Sequence, residues 1–362
     1  MSLIASTSNP LLEQALVSKL HRRDRSHGGL GELEPVAVRL GLLQHSLKPR
    51  FRDPQLVIFA ADHGLAVDGI HAGPGCQTEE MVHQILAGQQ PVSAFARLQG
   101  MTLSVVDCGV ASKLPLQDHL IQRKIAHGTR NARVGPAMSL EQAHAAIRAG
   151  MEIGDNLRGN LLACAGLGVG SHESAALVLS RLTETPVREL MVSGPQMNPE
   201  LMAHLMMVVQ GAQGRHRALT DAVEVLAAFG GFETAVMVGA MLVAASKRHL
   251  IMVDGVTACA ALLVASRIAE SVVDYCVFCR SQTHHGLDKA LSLFGASALM
   301  ELGLDATDGT GACLAMPLIS CAAALLTDLG DGDDGPSQPA GIDPPVIQSL
   351  YDPSNPTLPG VP

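Results

Sequence analysis

Short apolar runs alternate along the chain with longer stretches in which apolar residues recur every three to four positions. Four runs are almost wholly apolar, residues 56–60 (LVIFA), 103–106 (LSVV), 161–165 (LLACA) and 250–253 (LIMV), and an Asp or a Gly follows each within two residues. Runs of this length, bounded by turn residues, are typical of strands that are buried on both faces of a parallel sheet.

The intervening stretches carry the signals of helices. Two of them have the spacing of a capping box, Ser139-x-x-Gln142 and Asp221-x-x-Glu224. Residues 313–326 form an apolar segment that also predicts a helix. Because strand, turn and helix alternate, the pattern predicts an α/β fold with a doubly wound, mostly parallel sheet and right-handed crossovers.

Composition along the chain predicts where this sheet begins and ends. A chain of 362 residues is long enough for about two domains. Residues 1–50 are more charged and helical in pattern, and we expect them to form a smaller helical cap together with a C-terminal helix over residues 311–328. A Rossmann-like core then covers residues 51–310. From residue 329 to residue 362 the composition shifts to Asp, Gly and Pro, which predicts a disordered tail.

Composition also narrows the class of protein. Hydrophobic residues make up 47% of the chain and charged residues 16%, so most of the chain must be interior. The net charge of -9 and the lack of a long Lys/Arg run give no electrostatic footprint for nucleic acid. The N-terminus has no signal-peptide pattern, and the longest apolar runs, residues 234–246 and 311–326, fall short of the roughly 18 to 20 residues that span a bilayer. We therefore expect a cytoplasmic protein with no nucleic-acid or membrane partner.

The eight cysteines do not predict a disulfide framework, because most of them lie in apolar patterns, where a free thiol behaves as a small hydrophobe. One group differs. Cys276-x-x-Cys279 is followed by His284 and His285, a spacing that can hold zinc. No second Cys/His pair lies near this group in the sequence. We therefore predict no metal and no other cofactor, with zinc as an alternative.

Polar residues and glycines follow the predicted strands at the edge where an open parallel sheet binds its ligands. They are Asp62-His63-Gly64, Asp107-Cys108-Gly109, Gly166-Leu167-Gly168-Val169-Gly170 and Asp254-Gly255. The glycine turn precedes a helix predicted to begin near Ser171, so its N–H groups can hold a phosphate. Each of these segments has an alternative role that involves no ligand. The glycine turn can serve close packing alone, Asp62 and Asp254 can cap helices, and His63 can form a hydrogen bond with the backbone.

Another glycine turn opens the apolar segment near the C-terminus. Its sequence is Thr307-Asp308-Gly309-Thr310-Gly311-Ala312. Glycines at a turn let backbone N–H groups approach an anion or a flat ring, and a carboxylate beside them can take a proton from a bound molecule. Asp308 is therefore a candidate catalytic base.

Several segments together resemble a known family. They are Phe59-Ala-Ala-Asp-His-Gly64, Val106-Asp-Cys-Gly-Val110, Gly128-Thr-Arg-Asn131 with Val134-Gly-Pro-Ala-Met-Ser139, Val225-Leu-Ala-Ala-Phe-Gly-Gly-Phe-Glu233, Asp254-Gly255 and Asp308-Gly-Thr-Gly-Ala312. His27-Gly-Gly-Leu-Gly-Glu-Leu-Glu34 adds a seventh. In order and spacing, over residues 20–328, the chain resembles the nicotinate-nucleotide:dimethylbenzimidazole phosphoribosyltransferases.

This resemblance implies a homodimeric α/β enzyme of cobalamin lower-ligand assembly. Such an enzyme moves ribose 5-phosphate from nicotinate mononucleotide to a benzimidazole-type base and releases nicotinate. The resemblance assigns the catalytic base to Asp308. It assigns binding of the two small-molecule substrates to Asp62, His63, Gly64, Gly73, Met81, Arg130, Asn131, Gly166, Gly168, Gly170, Ser171, His204, Asp254, Gly309, Thr310 and Gly311.

The chain departs from the family pattern at the groups that carry charge. Asp308 aligns with a family Glu, the presumed base, and Gly166 aligns with a second family Glu. His204 aligns with a lysine that is expected to bind the phosphate. A protonated His204 or Arg130 can partly replace the missing positive charge. The scaffold is therefore kept while the chemistry is altered.

Other departures concern the incoming base and the helix after the glycine turn. Gly73 and Met81 align with a Ser and a Gln around the base, and Ser171-His172-Glu173 replaces Asn-Thr-Thr. Glu173 either turns into the site or lies on the helix surface, and the helix surface is the favoured interpretation.

From these departures we expect altered base choice or reduced activity. The rival class is a non-catalytic paralogue that binds a nucleotide or a cobamide precursor, to regulate another subunit or pair with it.

Overall fold

The computed structural model describes residues 4–22, 28–70, 77–191, 199–281 and 285–329. Within them lie seven strands: β1 (Gln55–Ala61), β2 (Thr102–Gly109), β3 (Leu120–Gln122), β4 (Leu161–Leu167), β5 (Leu250–Val253), β6 (Cys276–Ser281) and β7 (Ala298–Glu301). The α-helices described are α1 (Pro10–His21), α2 (Leu33–Gln44), α3 (Thr78–Leu86), α4 (Pro91–Leu98), α5 (Leu140–Asn156), α6 (Ser171–Thr183), α7 (Val187–Leu190), α8 (Pro199–Arg215), α9 (Ala222–Phe229), α10 (Phe232–Ser246), α11 (Gly255–Ile268), α12 (His285–Leu293) and α13 (Thr310–Thr327). Two 3-10 helices, Gly64–Asp68 and Glu270–Tyr275, complete the set.

The strands form one sheet in the order β3-β2-β1-β4-β5-β6-β7, and every neighbouring pair is parallel. From β1 the chain adds strands on one side, and from β4 it adds them on the other. The order therefore reverses between β1 and β4. At such a switch point the two connections leave the sheet in opposite directions, which opens a crevice outside the carboxyl ends of the strands.

Burial explains why the strands have continuous apolar sequences. All seven residues of β4 are buried, as are six of the seven residues of β1, so both faces of the central sheet are covered. α10 packs along β1, β2, β4 and β5, and thirteen of its fifteen residues are buried. On the β6 side, α13 packs against β6 and β7 and also contacts α2 and α4.

The predicted architecture is confirmed, including the four strands expected from apolar runs, which are β1, β2, β4 and β5. The Ser139 capping box is also present: Ser139 Oγ accepts from the N–H of Gln142 at 3.1 Å, and Gln142 Oε1 accepts from the N–H of Ser139 at 2.9 Å. Three strands, β3, β6 and β7, are absent from the prediction. The division into cap and core stays a prediction, and the tail from residue 330 lies outside the described residues.

α13 is longer than its apolar run, because Thr310 and Thr327 extend it to 18 residues with a mean hydropathy of 1.7. In the described part of the chain it is the one helix long and apolar enough to cross a membrane. The expectation that no segment reaches this length is therefore wrong. However, 56% of the helix is buried inside the protein, which is the environment of a core helix.

Candidate active site

The crevice between the carboxyl ends of β1 and β4 brings predicted site residues together. β1 leads directly to Asp62, His63 and Gly64, and β4 leads through the glycine turn to Ser171, the first residue of α6. A Cβ added at Gly170 would lie 2.9 Å from the Cβ of His63, so these two segments are in contact. Because the strand order reverses here, this crevice is the candidate site.

Close packing shapes the glycine turn after β4. Gly170 has a left-handed φ of 86° and is the N-cap of α6. A Cβ added at Gly168 would lie 1.8 Å from the carbonyl oxygen of Ala61 in β1. Glycine is thus required for packing at this turn, whether or not a ligand binds. Phosphate binding by its N–H groups stays a prediction.

We expect Gly168→Ala to destabilise the fold by about 1–3 kcal/mol, because the added methyl group meets backbone and forces the strands to shift. Gly135→Ala is the matched control, since a Cβ at Gly135 meets nothing within 4 Å. Urea denaturation of both variants measures the difference. Equal stability would mean that the turn relaxes without cost and that packing does not explain the glycine.

A buried hydrogen-bond network lies beneath the crevice. His63 Nε2 lies 2.9 Å from Oε1 of Glu233, and the two side chains are 2% and 0% exposed. The hydroxyl of Ser171 donates to the same oxygen at 2.9 Å, and that of Thr234 lies 3.2 Å from it. Glu233 stands in the first turn of α10, where the helix dipole favours a carboxylate. The Ser171 hydroxyl is therefore engaged inside the protein and not presented to the crevice.

The network shifts the pKa of His63. Burial lowers the pKa of His63, but the charge of Glu233 and the hydrogen bond to it, with smaller contributions from Asp62 and Glu173, raise it more. Together these effects raise the pKa of His63 above the ordinary value of 6.5, so the protonated ring persists to higher pH than in a free imidazole. The side chain of His63 thus bonds a carboxylate, and not the backbone as in the alternative considered above.

Asp62 joins three segments instead of capping a helix. Its Oδ1 accepts from Thr78 Oγ1 at 2.5 Å, and its Oδ2 accepts from the N–H of Ala111 at 2.7 Å. Thr78 Oγ1 also accepts from the N–H of Val169 at 3.1 Å. Because Thr78 opens α3, these bonds connect β1, α3 and the glycine turn at the mouth of the crevice.

The loop at residues 128–131 closes one side of the crevice. A Cβ added at Gly64 would lie 2.5 Å from the backbone nitrogen of Asn131, and the N–H of Gly64 donates to Thr129 Oγ1 at 3.2 Å. Asn131 Nδ2 donates to Oδ2 of Asp68 at 2.8 Å. Arg130, the neighbour of Asn131, is exposed. This loop therefore carries an accessible cation next to the end of β1.

His204 of α8 approaches the same region. Its Nε2 lies 2.6 Å from the carbonyl oxygen of Asp68, so this nitrogen donates a hydrogen bond to the backbone. A phosphate that met Nε2 would have to replace that bond. Contact between His204 and a phosphate stays a prediction.

Asp254, directly after β5, forms a buried ion pair with Arg280 of β6. Asp254 Oδ1 lies 2.6 Å from Arg280 Nε, and the Asp and Arg side chains are 0% and 2% exposed. Asp254 Oδ2 accepts from the N–H of Ala312 at 3.1 Å, and the remaining guanidinium nitrogens donate to the carbonyl oxygens of Leu304 and Ala306. Asp254 thus accepts from the first turn of α13, and its partner Arg280 holds the segment before α13 against the sheet.

Asp308 lies at this fixed end of α13. Its Oδ1 accepts from the N–H of Thr310 at 3.1 Å and from Thr310 Oγ1 at 2.7 Å. Gly309 has a left-handed φ of 93° and is the N-cap of the helix. Asp308 is partly exposed, and in the described part of the chain no donor meets its second oxygen. That oxygen is the one available to a bound molecule.

Small residues at two further predicted positions are surrounded by side chains. A Cβ added at Gly166 would lie 2.3 Å from Cγ2 of Thr257, so Thr257 occupies the space beside Gly166. A Cβ added at Gly311 would lie 2.6 Å from Asp254 Oδ1. Met81 in α3 is half-buried. Gly73 lies outside the described residues.

The zinc alternative rests on residues that do not share one face. Cys276 and Cys279 are buried in β6 and stand three residues apart, so they point to opposite sides of the strand. Burial raises the pKa of Cys279 well above its ordinary value, which opposes the thiolate that a metal binds. His284 and the side chain of His285 lie outside the described residues. In the described part of the chain, no group of three or more His, Cys, Asp or Glu residues is placed to hold a metal ion.

The predicted site set omits several residues of this region, among them Glu233, Arg280 and Thr78. Glu233 follows the pair Gly230-Gly231 and lies at the end of a segment that carries the family resemblance, although no role follows from that resemblance alone. Arg280 has a clearer signal, since a single arginine ends the apolar run of β6 at the ligand-binding edge of the sheet. Thr78 has no signal, because its role depends on the position of α3 beside β1.

Together, these residues place two glycine turns and several carboxylates at the carboxyl end of the sheet. Backbone turns supply N–H groups, a buried imidazole and several carboxylates set the local charge, and Asp308 presents one carboxylate oxygen at the N-terminus of α13. A carboxylate in this setting can accept a proton from a bound N–H group.

Comparisons with known proteins identify a matching family, similar named proteins and a similar solved structure. The chain matches the family model described as phosphoribosyltransferase over residues 6–335. It is 36% identical over 332 residues to nicotinate-nucleotide–dimethylbenzimidazole phosphoribosyltransferase of Janthinobacterium sp. (strain Marseille), covering 91% of this chain and 96% of that protein. It is 40% identical over 323 residues to the protein of that name from Cupriavidus taiwanensis, and this match covers 88% of this chain and 92% of that protein. The crystal structure of the protein from Thermus thermophilus is similar, with a TM-score of 0.82, 31% identity and coverage of 88% of this chain and 96% of that one.

Proposed function

The chain belongs to this phosphoribosyltransferase family, and we propose that it acts in assembly of the lower ligand of cobalamin. In this proposal it transfers ribose 5-phosphate from nicotinate mononucleotide to a benzimidazole-type base and releases nicotinate. The observation that carries the proposal is the continuity of the similarity. Relatives named for this reaction match 88–91% of the chain, and the family model matches residues 6–335, which include both glycine turns and the crevice between β1 and β4.

The reaction needs few groups from the protein. The glycosidic carbon of the nucleotide is electrophilic because the pyridinium nitrogen bonded to it loses its positive charge when nicotinate departs. One ring nitrogen of the base attacks this carbon, the bond to nicotinate breaks with its electron pair on the departing nitrogen, and the N–H proton of the base must be removed. We assign proton removal to Asp308, whose second carboxylate oxygen lacks a donor among the described residues.

The remaining predicted residues are assigned to substrate binding. Backbone N–H groups of the turns at residues 166–170 and 309–311 would approach the phosphate and the ring, and Arg130 supplies an exposed cation nearby. Closure of the site must also exclude water, so that transfer exceeds hydrolysis. We further propose a homodimer in the cytoplasm, with residues 1–50 and 311–328 forming the cap.

A non-catalytic binding protein is the second candidate. Specific contacts favour it: the Ser171 hydroxyl is occupied by Glu233, His204 Nε2 is occupied by the backbone of Asp68, and Thr257 fills the space beside Gly166. These groups would have to exchange partners to meet a nucleotide. Such a protein would bind nicotinate mononucleotide without releasing nicotinate.

Turnover separates the two candidates. Purified full-length protein is incubated with nicotinate mononucleotide and, in separate reactions, a panel of benzimidazoles, purines and phenols, and free nicotinate is followed by liquid chromatography. We expect release that depends on the added base. Tight binding by calorimetry with no release above the protein-free control would favour the binding protein.

We predict relaxed choice among incoming bases. Because Gly73 and Met81 replace a hydroxyl and an amide of the family pattern, the pocket offers fewer hydrogen bonds to the edge of a base and a more adaptable apolar wall. Competition between pairs of aromatic bases should therefore give kcat/KM values within roughly tenfold of one another. One base preferred by several orders of magnitude would mean that polar groups outside this set recognise it.

A further inference from the structure

One buried carboxylate joins the two walls of the crevice, which are the segment after β1 (residues 62–64) and the glycine turn that opens α6 (residues 166–171). His63 of the first wall and Ser171 of the second both bond Oε1 of Glu233, each at 2.9 Å. Glu233 belongs to neither wall, because it lies in the first turn of α10, which packs against the sheet. A single oxygen atom therefore connects the end of β1 with the N-terminus of α6.

Close packing leaves these side chains little room to move away from that oxygen. A Cβ added at Gly231 would lie 2.0 Å from Oε2 of Glu233 and 2.3 Å from Cε1 of His63, so a larger residue would displace both side chains. A Cβ added at Gly170 would lie 2.9 Å from the Cβ of His63. Both glycines thus let the walls pack directly on the His63–Glu233 pair.

The carboxylate is an expensive way to hold these segments together. The Glu233 side chain is 0% exposed, and its Oε2 has no hydrogen-bond partner in the part of the chain that the structure describes. A buried oxygen without a donor is unfavourable, and well-packed apolar residues in place of a buried ion pair are often equally stable. Proteins keep such costly groups mainly where a functional site needs them.

We propose that Glu233 is a positioning residue, which sets the separation of the two walls by holding His63 and Ser171 on one carboxylate oxygen. This inference rests on the proposed function, in which the glycine turn before α6 binds the phosphate of nicotinate mononucleotide. His63 and Ser171 then act through Glu233 and not by contact with the substrate. Binding of the nucleotide should depend on both bonds, and binding of the incoming base, assigned to Gly73 and Met81, should depend on them much less.

Ser171→Ala releases one wall with little change in volume. It should lower kcat/KM for nicotinate mononucleotide on the order of tenfold and weaken nucleotide binding in calorimetry, while KM for the base stays within a few-fold. Ser174→Ala is the matched control, because the buried hydroxyl of Ser174, three residues further along α6, donates to the carbonyl oxygen of Phe229 at 2.6 Å and meets neither wall.

The two serine variants separate positioning from general stability. Each loses one buried hydrogen bond, so their Tm values should fall by similar amounts. Ser174→Ala should nevertheless bind nicotinate mononucleotide as the parent does. An equal loss of affinity in both variants would make the bond of Ser171 merely structural, and unchanged affinity in Ser171→Ala would mean that the wall needs no such bond. Either result would overturn the proposal.

His63 allows a rescue experiment, because two amide side chains replace different ring atoms. The amide nitrogen of Gln can take the place of Nε2, whereas that of Asn takes the place of Nδ1. His63→Gln should therefore keep the bond to Glu233 and most of the nucleotide affinity, and His63→Asn should lose affinity on the order of tenfold, as Ser171→Ala does. Equal affinities in the two variants would show that His63 does not act through this bond.

A double-mutant cycle distinguishes positioning from direct contact with the nucleotide. If Ser171 acts through Glu233, adding Ser171→Ala to a Glu233→Gln protein should weaken binding less than it does in the parent. A full, additive loss would mean that Ser171 touches the nucleotide by itself and would overturn the proposal. Should Glu233→Gln fail to fold, the pair His63→Gln and His63→Asn decides the question.

The parent protein shows whether this inference or the proposed function fails. Parent protein that binds nicotinate mononucleotide, with a Ser171→Ala variant that binds it equally well, would overturn the role of Glu233 alone. Parent protein that neither binds the nucleotide nor releases nicotinate would overturn the proposed function first. Because calorimetry measures binding without turnover, the variants decide the role of Glu233 even if the parent transfers nothing.

Discussion

Replacing Asp308 with Asn is expected to lower the rate of transfer to dimethylbenzimidazole by ~100-fold or more. The variant keeps the shape of the side chain and a carbonyl oxygen that can still accept from Thr310, so the N-terminus of α13 should remain intact. What it loses is the basicity needed to take the N–H proton. Steady-state kinetics with nicotinate release as the signal measures the effect, and calorimetry should show affinity for nicotinate mononucleotide within a few-fold of the parent.

The reverse change tests the reach of this carboxylate. Asp308→Glu adds one methylene, and a displacement of about 1 Å at a reacting group can change a rate on the order of 100-fold. We expect a faster reaction with dimethylbenzimidazole. An Asp308→Asn protein that kept most of the parent rate would remove Asp308 from the mechanism, whatever the effect of the longer side chain.

Replacing Asp254 with Ala is expected to destabilise the protein by about 3–5 kcal/mol, because it leaves the Arg280 charge buried without its partner. It also frees the N–H of Ala312, so the Asp308 turn should lose its fixed position and activity should fall with stability. Chemical denaturation followed by circular dichroism measures the loss. Asp155→Ala is the control, since the ion pair of Asp155 with Lys247 is largely exposed and should contribute about 0–1 kcal/mol.

A second variant shows whether the buried charge is the cause. Asp254→Ala combined with Arg280→Met removes both charges and should be more stable than Asp254→Ala alone. Recovery should be partial, because the carbonyl oxygens of Leu304 and Ala306 lose their donor. A double variant no more stable than the single one would mean that Asp254 acts through its bond to the first turn of α13 and not through the ion pair.

Local patterns were sufficient to predict the central fold. Continuous apolar runs predict β1, β2, β4 and β5 because most residues of these strands are buried, and the Ser139 capping box predicts the start of α5 because all of its atoms lie within four residues. β3 is only three residues long and half exposed, so its sequence has no apolar run. β7 is likewise only partly buried, and its pairing with β6 depends on the fold around it.

The contacts of the site are harder to predict from the sequence, because they join segments that lie far apart along the chain. The glycine turns are visible as motifs, but that Gly168 packs on Ala61 and that Thr257 fills the space beside Gly166 depends on how strands and helices pack. The bond between His63 and Glu233 spans 170 positions and links the end of β1 to the start of α10. Glu173 shows the same limit, because its helix was predicted correctly while its half-buried environment was not.

The central claim is that the crevice transfers ribose phosphate to a base, and the mass of the product tests it most directly. Full-length protein is incubated with nicotinate mononucleotide and dimethylbenzimidazole, and the products are separated and weighed by mass spectrometry, with a protein-free reaction as control. We predict free nicotinate and a dimethylbenzimidazole-linked ribose phosphate in equal amounts. Nicotinate with free ribose phosphate would indicate hydrolysis, and unchanged nicotinate mononucleotide that remains bound to the protein would contradict the account.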